Sequence, residues 1–286
     1  MGLMNLGRRG PAAALVGTLL TVLAMTAAAR PAASPKLKSS SVLIVDPSDS
    51  SVLYSRNSDV AAPIASITKL MTALVVLDAH QPMNEQLEVT QAETDLPKTN
   101  FSRLTVGTVL TRGELLHLAL MASENRAAHA LGTYYPGGVP ALVRAMNAKA
   151  RALGMTNAHF DDPTGLSSEN VASPEDLSKL VIAASHNAII REYSTDKSYT
   201  VRVHRHLVEF HNTDNLVANP TWNIIVQKTG YISEAGKCLV MEAVIEGRNV
   251  VIVLLDSLGK YTRVADAKRV KSWMESLRTE RVVSMR

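Results

Sequence analysis

The chain has 286 residues, enough for one sizeable domain. Hydrophobic residues make up 46% and charged residues 20%, which is typical of a globular chain rather than a disordered one. Aromatic residues make up only 4%, and the net charge of +4 comes from scattered basic residues, so the composition argues against a nucleic-acid partner.

The N-terminal segment has the layout of a secretory signal. Arg8 and Arg9 precede a mostly apolar, alanine-rich run over residues 12–29, which ends in small residues suited to cleavage. The run is short for a membrane-spanning helix. We therefore expect residues 1–29 to be a cleaved signal peptide and the mature protein to be periplasmic or otherwise exported. An uncleaved membrane anchor is the alternative.

The segment after the signal opens the folded domain. Residues 30–40 are rich in proline and serine and indicate a linker. The apolar runs 41–46 and 52–56, separated by a polar turn, predict a β-hairpin. A helix then begins near Ser66 and runs to about His80. Its body is almost wholly apolar, which is typical of a helix that is buried on most sides.

The middle of the chain is mainly helical. Thr111 and Glu114 are spaced as a capping box before an apolar run. Residues 139–153 have helical periodicity, and Ser173 followed by a proline opens a further helix. These signals together predict a helical lobe over about residues 70–195.

The last third returns to strands. An exposed hairpin and three apolar strands are predicted at residues 197–203, 207–211, 222–229, 237–246 and 249–256. The only cysteine, Cys238, is expected to be a core residue. A closing helix over residues 261–277 is expected to pack on the sheet, with a peripheral membrane contact as the alternative. Because strands occur at both ends, we expect one sheet completed by both ends, within a single domain at 41–280 and before a tail at 281–286.

The first candidate motif is Ser66-Ile67-Thr68-Lys69 at the start of the buried helix. Residues three apart share one face of a helix, so the Lys69 amine can reach the Ser66 hydroxyl. A serine hydroxyl needs a base that removes its proton, and a lysine is such a base when burial and a nearby cation lower its pKa. The same pattern also occurs at ordinary helix starts.

The second candidate motif is Ser123-Glu124-Asn125, after an apolar helix. Ser123 could relay a proton to a leaving amine, and Asn125 could hold a substrate amide and Lys69. A structural role for Ser123 as a helix N-cap is compatible with this reading. Glu124 could tune the site by its charge, but we expect it at the surface.

The third candidate motif is Lys228-Thr229-Gly230 at the end of an apolar strand. Lys228 would supply positive potential near a substrate carboxylate, and Thr229 offers a hydroxyl to the same group. Gly230 would let a substrate strand approach the sheet edge closely. The alternative is a strand that simply ends in a turn.

The order of the three motifs is more specific than any one of them, with separations of about 55 and 105 residues on helix, loop and strand. With stretches such as LMASENRAAHALG and WNIIVQKTGYISEAGKCLVM, the chain resembles low-molecular-mass penicillin-binding proteins over residues 41–277. It resembles the D-alanyl-D-alanine endopeptidases of the penicillin-binding protein seven type more closely than the membrane-anchored carboxypeptidases. The resemblance implies an α/β, β-lactamase/transpeptidase-like fold, with an antiparallel sheet flanked by helices and an inserted helical lobe.

The resemblance also implies an activity and a set of site residues. The implied enzyme is a serine DD-peptidase that cleaves peptidoglycan cross-links through an acyl-enzyme and is inhibited covalently by β-lactams, with no metal or organic cofactor. Ser66 would be the nucleophile, Lys69 the general base and Ser123 the third catalytic residue. Substrate binding would involve Asn125, Lys228, Thr229, Gly230 and Tyr231. The backbone N–H groups of Ser66 and Tyr231 would form the oxyanion hole.

One position departs from the pattern of the related carboxypeptidases. Those enzymes often carry an arginine before the third motif, where it binds the terminal carboxylate of the substrate. This chain has Thr213 at that position. We therefore expect cleavage of an internal cross-link rather than trimming of a free terminus, with a D-alanyl-D-alanine carboxypeptidase as the alternative.

Three more remote alternatives to a DD-peptidase are compatible with parts of the sequence. A class A β-lactamase also needs a carboxylate that activates water, for which Asp161, Asp162 and Glu169 are candidates. A non-catalytic wall-binding protein would not need three intact motifs. His204 and His206 lie two apart, but no third metal ligand is in register with them, so a metal-dependent hydrolase is disfavoured.

Overall fold

The computed structural model of the chain describes Met1 and residues 34–95 and 102–284, with side chains described up to residue 277. The predicted signal peptide therefore lies outside the described residues except for Met1. Within these ranges, no helix is both long enough and apolar enough to cross a bilayer.

Strands occur at both ends of the described chain. They are β1 (Ser39–Asp46), β2 (Ser51–Arg56), β3 (Ala62–Pro63), β4 (Gln86–Glu88), β5 (Val109–Thr111), β6 (Val171–Ala172), β7 (Ser198–Val203), β8 (His206–His211), β9 (Asn223–Ile232), β10 (Gly236–Ile245) and β11 (Arg248–Ser257). Five of them form one antiparallel sheet in the order β2-β1-β11-β10-β9. Since β1 pairs with β11, this sheet is completed by both ends of the chain, as predicted.

Seven of the described α-helices lie between β2 and β9, together with the short strands, and one more follows β11. They are α1 (Thr68–Asp78), α2 (Gln91–Thr94), α3 (Arg112–Met121), α4 (Asn125–Thr133), α5 (Gly138–Ala152), α6 (Pro174–Ser185), α7 (Ala188–Thr195) and α8 (Thr262–Ser284). The predicted capping box of Thr111 and Glu114 is confirmed at α3, and Ser173 caps α6 as predicted. The antiparallel sheet and its flanking helices confirm the predicted α/β class.

The five-stranded sheet is buried on both faces, which explains the nearly continuous apolar runs of its strands. On one face, Leu43 and Val240 join the core that contains α1 and α6. On the other face, Ile44 and Leu239 pack with Val270 of α8. The predicted packing of the closing helix on the sheet is therefore confirmed.

Short strands were the least predictable elements. β3 pairs with β6 and β4 pairs with β5, and none of these strands has more than three residues, too few for an alternating pattern to be recognised. The longer hairpin of β7 and β8 was predicted.

Asp266 fastens the start of the sheet to the closing helix. It is fully buried, and its Oδ2 accepts hydrogen bonds from the backbone N–H of Lys38 at 2.9 Å and of Ser39 at 2.7 Å. The Ser39 hydroxyl donates to the same oxygen at 2.7 Å, and Arg269 donates to Oδ1. β1 begins at Ser39, two residues earlier than predicted. α8 continues to Ser284, into the predicted tail.

We expect the substitution Asp266→Ala to destabilise the fold by about 2 to 4 kcal/mol, because it leaves buried donors of the β1 start without an acceptor. Urea unfolding followed by circular dichroism would measure the change. Lys268→Ala, at an exposed neighbouring position of α8, is the matched control and should change the stability by less than about 0.5 kcal/mol. Equal effects of the two substitutions would contradict this role of Asp266.

Candidate active site

Ser66 lies in a tight turn that leads into the buried helix. Ala65–Ile67 forms a single 3-10 turn directly before α1. Ala65 has φ +49°, a left-handed conformation that is uncommon for a residue with a side chain. Gly165 packs against this turn so closely that an added Cβ would lie 1.9 Å from the Ala65 carbonyl oxygen. The position of Ser66 is therefore held by its neighbours as well as by the helix.

Lys69 reaches Ser66 from the next turn of the helix, as the spacing predicts. Its Nζ lies 2.8 Å from Ser66 Oγ and donates to Asn125 Oδ1 at 2.7 Å and to the Thr164 carbonyl at 2.6 Å. The residue is only 1% exposed. Burial lowers the pKa of Lys69 to about 7, although the negative charges of Asp162 and Glu124 oppose the shift. A substantial fraction of the amine is therefore neutral near neutral pH.

Asp162 organises the loop that holds Lys69. Its carboxylate accepts hydrogen bonds from the backbone and hydroxyl of Thr164, from the backbone of Gly165 and Ser167, and from the Asn170 amide. Burial raises the pKa of Asp162, but these hydrogen bonds outweigh burial and keep it below its ordinary value. The fixed loop places the Thr164 carbonyl on Lys69 and Gly165 against Ala65.

The second motif lies in the turn between α3 and α4. Ser123 has a left-handed backbone with φ +58° and is partly buried, and Asn125 is the first residue of α4. One structural alternative and one expectation about this turn were wrong. The N-cap of α4 is Glu124 rather than Ser123, because the Glu124 carboxylate accepts from the backbone N–H of Arg126. Glu124 is also buried, at 9% exposure, rather than at the surface, because Ser102 hydrogen-bonds to it.

The third motif lies on β9. Lys228 is fully buried, and its Nζ donates to the Thr229 carbonyl at 3.0 Å. Burial lowers the pKa of Lys228 well below its ordinary value, and the charges of Lys69 and Arg263 lower it further, against the opposing charge of Asp214. Burial in turn raises the pKa of Asp214. The charges that act on Lys228 therefore come from the helix of the first motif, from α8 and from the segment before β9.

Gly230 brings the strand edge against the nucleophile turn. A Cβ at this position would lie 2.8 Å from the Ile64 carbonyl oxygen and 3.3 Å from the backbone nitrogen of Ser66. Only glycine permits this approach without a shift of the backbone. Tyr231 follows with its side chain 58% exposed, and the Lys237 ammonium lies 3.9 Å from the centre of its ring.

Thr213 connects the third motif to the end of α3. Its hydroxyl lies 2.6 Å from the hydroxyl of Thr229, and its backbone N–H donates to the Met121 carbonyl at the end of α3. The position singled out by the sequence as a departure from the carboxypeptidases therefore lies beside the third motif, and it carries an exposed, uncharged side chain.

Arg263 was not identified from the sequence. Its guanidinium donates to the carbonyl of Gly230 at 2.8 Å and to that of Cys238 at 3.3 Å, and so connects α8 to the ends of β9 and β10. No local pattern distinguishes it from the other basic residues of α8. The supporting roles of Asp162 and Asp214 likewise depend on burial, which neighbouring residues along the chain do not reveal.

The residues considered as metal ligands, and the cysteine, make none of the contacts described above for the three motifs. His204 is exposed and contacts Thr105, and His206 is exposed at the start of β8. Among the side chains described, at residues 34–95 and 102–277, no cluster of His, Cys, Asp and Glu is arranged as a metal site. Cys238 is buried as predicted, and burial raises the pKa of its thiol to about 11.

Comparison with solved structures supports the fold. The Streptomyces K15 DD-transpeptidase superposes with a TM-score of 0.77 at 28% sequence identity, covering 84% of this chain and 98% of that one. A D-alanyl-D-alanine carboxypeptidase from Mycobacterium tuberculosis superposes with a TM-score of 0.77 at 28% identity, covering 87% and 95%. The predicted transpeptidase-like fold is therefore confirmed.

Sequence comparison identifies the family. The D-alanyl-D-alanine endopeptidase of Escherichia coli is 46% identical over 89% of this chain and 83% of its own length. The D-alanyl-D-alanine endopeptidase of Pseudomonas aeruginosa is 48% identical over 84% and 78%. The family model described as D-alanyl-D-alanine carboxypeptidase matches residues 26–259. The chain therefore belongs to this D-alanyl-D-alanine carboxypeptidase family of serine peptidases, as the order of its three motifs predicted.

Proposed function

We propose that this protein is an exported D-alanyl-D-alanine endopeptidase that cleaves peptide cross-links of peptidoglycan through an acyl-enzyme on Ser66. The observation that carries the proposal is the Lys69 amine, which lies 2.8 Å from Ser66 Oγ and has a pKa of about 7 as a result of burial. This pair places a nucleophile and a base in contact. Near pH 7 about half of the Lys69 side chains are in the neutral form that can accept a proton.

The reaction follows from this pair. Neutral Lys69 accepts the Ser66 proton while Oγ attacks the carbonyl carbon of a D-Ala residue. The tetrahedral oxyanion is stabilised by backbone N–H groups of Ser66 and Tyr231. The C–N bond then breaks, and the departing amine receives a proton through Ser123. Water attacks the acyl-enzyme with Lys69 again as base, which releases the D-Ala carboxylate and restores Ser66.

The remaining site residues bind the substrate in this proposal. Asn125 holds both Lys69 and a substrate amide, and Lys228 supplies positive potential to a substrate carboxylate. Thr229 offers a hydroxyl to the same carboxylate. The close approach of Gly230 to the Ser66 backbone supports a substrate strand lying along the edge of β9.

The endopeptidase assignment is supported by two observations. The relatives from Escherichia coli and Pseudomonas aeruginosa are named endopeptidases. Thr213 places an uncharged hydroxyl 2.6 Å from that of Thr229, so this position lacks the cation that would attract a free terminal carboxylate. In a cross-link the leaving amine belongs to a second peptide rather than to a terminal D-Ala, so cleavage does not depend on that cation.

A β-lactamase activity is disfavoured by the surroundings of its three candidate carboxylates, Asp161, Asp162 and Glu169. Asp162 already accepts hydrogen bonds from its own loop on both oxygens, while Asp161 and Glu169 are exposed. None of the three is therefore suited to activate a deacylating water over Ser66. We accordingly expect β-lactams to acylate Ser66 and the resulting acyl-enzyme to be hydrolysed slowly. Export is supported by the signal-like pattern of residues 1–29.

The direct test is a digest of a cross-linked muropeptide dimer and a pentapeptide monomer, followed by mass spectrometry. The mature protein should cleave the dimer, benzylpenicillin should block cleavage, and the monomer should remain largely intact. Ser66→Ala should reduce cleavage by at least about a thousandfold. Ser55→Ala, at an exposed serine of β2, is the control and should leave the rate unchanged. Loss of the monomer with an intact dimer would instead identify a carboxypeptidase.

Acylation by a fluorescent penicillin should depend on pH through Lys69. Since the neutral amine is the active base and the pKa is about 7, the rate constant should rise with pH and reach half its plateau near that value. Stopped-flow measurements from about pH 5.5 to 8.5 would define this rise of the rate constant with pH, the acidic limb of the profile. A rate constant that does not change over this range would contradict the assignment of Lys69 as base.

The substitution Thr213→Arg should shift the balance toward monomer trimming by about tenfold, because it places a guanidinium beside Thr229 where a free carboxylate would lie. The ratio of kcat/KM for the monomer to that for the dimer measures the shift. Thr213→Gln adds similar bulk without charge and is the matched control. An unchanged ratio in Thr213→Arg would show that this position does not determine the substrate.

A further inference from the structure

The middle residue of the second motif has a buried carboxylate for which the reaction above has no role. Glu124 is 9% exposed and precedes the first residue of α4. Its Oε1 accepts hydrogen bonds from the backbone N–H of Arg126 at 3.1 Å and from the hydroxyl of Ser102 at 2.5 Å. These two donors belong to different segments, so the carboxylate joins them.

Residues 102–104 form the segment that covers this carboxylate. The Ser102 hydroxyl also accepts from the backbone N–H of Leu104 at 3.2 Å, and the Arg126 guanidinium donates to the Leu104 carbonyl. The Leu104 side chain is fully buried in the core. The segment is thus fixed to the first turn of α4 by the Glu124 carboxylate and by the Arg126 guanidinium.

The start of α4 is also what places a partner on Lys69. Asn125 follows Glu124 directly, and its Oδ1 accepts from Lys69 Nζ at 2.7 Å. An N-cap that accepts from the helix backbone fixes where the first turn begins. The position of the Asn125 amide therefore depends on the Glu124 contacts.

Charges face Lys69 from several elements. Asp162 from the loop before α6 and Glu124 from the start of α4 are negative, and both raise the pKa of Lys69 against its burial. Lys228 on β9 is in electrostatic contact with Lys69, and the charges of Arg263 and Asp214 act on Lys228. Arg126 is the cation next to Glu124. The Asp162 carboxylate is committed to its own loop, whereas the Glu124 carboxylate is attached to the same motif that contacts Lys69.

We propose that Glu124 is a positioning residue of the active site, which holds residues 102–104 on the first turn of α4, fixes Asn125 against Lys69 and provides a compensating negative charge for the lysine. Glu124 would act in two ways, through its hydrogen bonds to Ser102 and Arg126 and through its negative charge on Lys69. Different substitutions remove one and keep the other. The inference rests on the proposed function, since it assigns Glu124 a role in the pH dependence of acylation.

The substitution Glu124→Gln keeps an oxygen acceptor for Ser102 and Arg126 but removes the charge. The pKa of Lys69 should fall, because a negative charge that stabilises its ammonium form is lost. The acidic limb of the penicillin acylation profile should therefore move to lower pH by at least about half a unit, and the rate constant at pH 6 should rise about threefold. Above pH 8 the rate constant should stay within about threefold of the native value.

Ser102→Ala removes the contact and keeps the charge. It should lower the acylation rate constant at every pH by about two- to tenfold while leaving the midpoint of the acidic limb in place. Glu124→Asp keeps the charge and should also retain the native midpoint. Glu88→Gln, at an exposed carboxylate on β4, is the matched charge control and should change neither quantity.

The inference is overturned if Glu124→Gln leaves the midpoint unchanged, or if Glu88→Gln or Ser102→Ala moves it as far. A second measurement does not require activity. The Cε chemical shift of Lys69, followed by NMR against pH in protein with ¹³C-labelled lysine, should show a lower titration midpoint in Glu124→Gln than in the native protein. A protein that penicillin fails to acylate, with this difference intact, would contradict the proposed function but support the assignment of Glu124.

Discussion

The structure around the site depends on one constraint, which is that a lysine side chain is kept out of water. An ammonium group loses its hydration on burial, so the neutral form becomes accessible near neutral pH only if the site remains dry. Lys69 meets this condition at 1% exposure, and Ser66, Asn125 and Thr164 surround its nitrogen. Each of the three partners comes from a different segment, so the lysine environment exists only when the helical lobe and the loop before α6 have folded together.

Close backbone approach provides the second constraint, and glycine makes it possible. Gly165 and Gly230 contact the turn that carries Ser66 from two sides, and a side chain at either position would overlap a backbone carbonyl, that of Ala65 or that of Ile64. The left-handed backbone of Ala65 is thereby enclosed by neighbours that do not allow it to relax. The proposed nucleophile is consequently presented at a fixed position against the edge of β9, where rigid placement of reacting groups favours catalysis.

Much of the fold and of the site could be predicted from the sequence because the relevant signals are local. The apolar runs of β1 and β9 to β11 alternate with turns, and the three motifs each occupy a few consecutive residues at the ends of regular elements. What could not be predicted depends on segments that meet only in three dimensions. Glu124 reads as a surface acid, since a charged residue between two helices is usually solvated. Its burial by Ser102 is a contact between positions 22 residues apart.

The supporting charges could not be identified from the sequence for the same reason, because they come from distant segments. The motif residues could be identified because they are close together along the chain. Lys69 and Lys228 are recognisable by their spacing, but their pKa values depend first on burial and then on the charges of Asp162, Glu124, Asp214 and Arg263, which reach the site from four different segments. Burial lowers the pKa of both lysines, and Lys69 lowers that of Lys228 further; a neutral Lys228 would no longer attract a carboxylate. Asp162 and Glu124 oppose the shift at Lys69, and Asp214 opposes it at Lys228, so the charges behind the motifs tune both lysines in addition to burial.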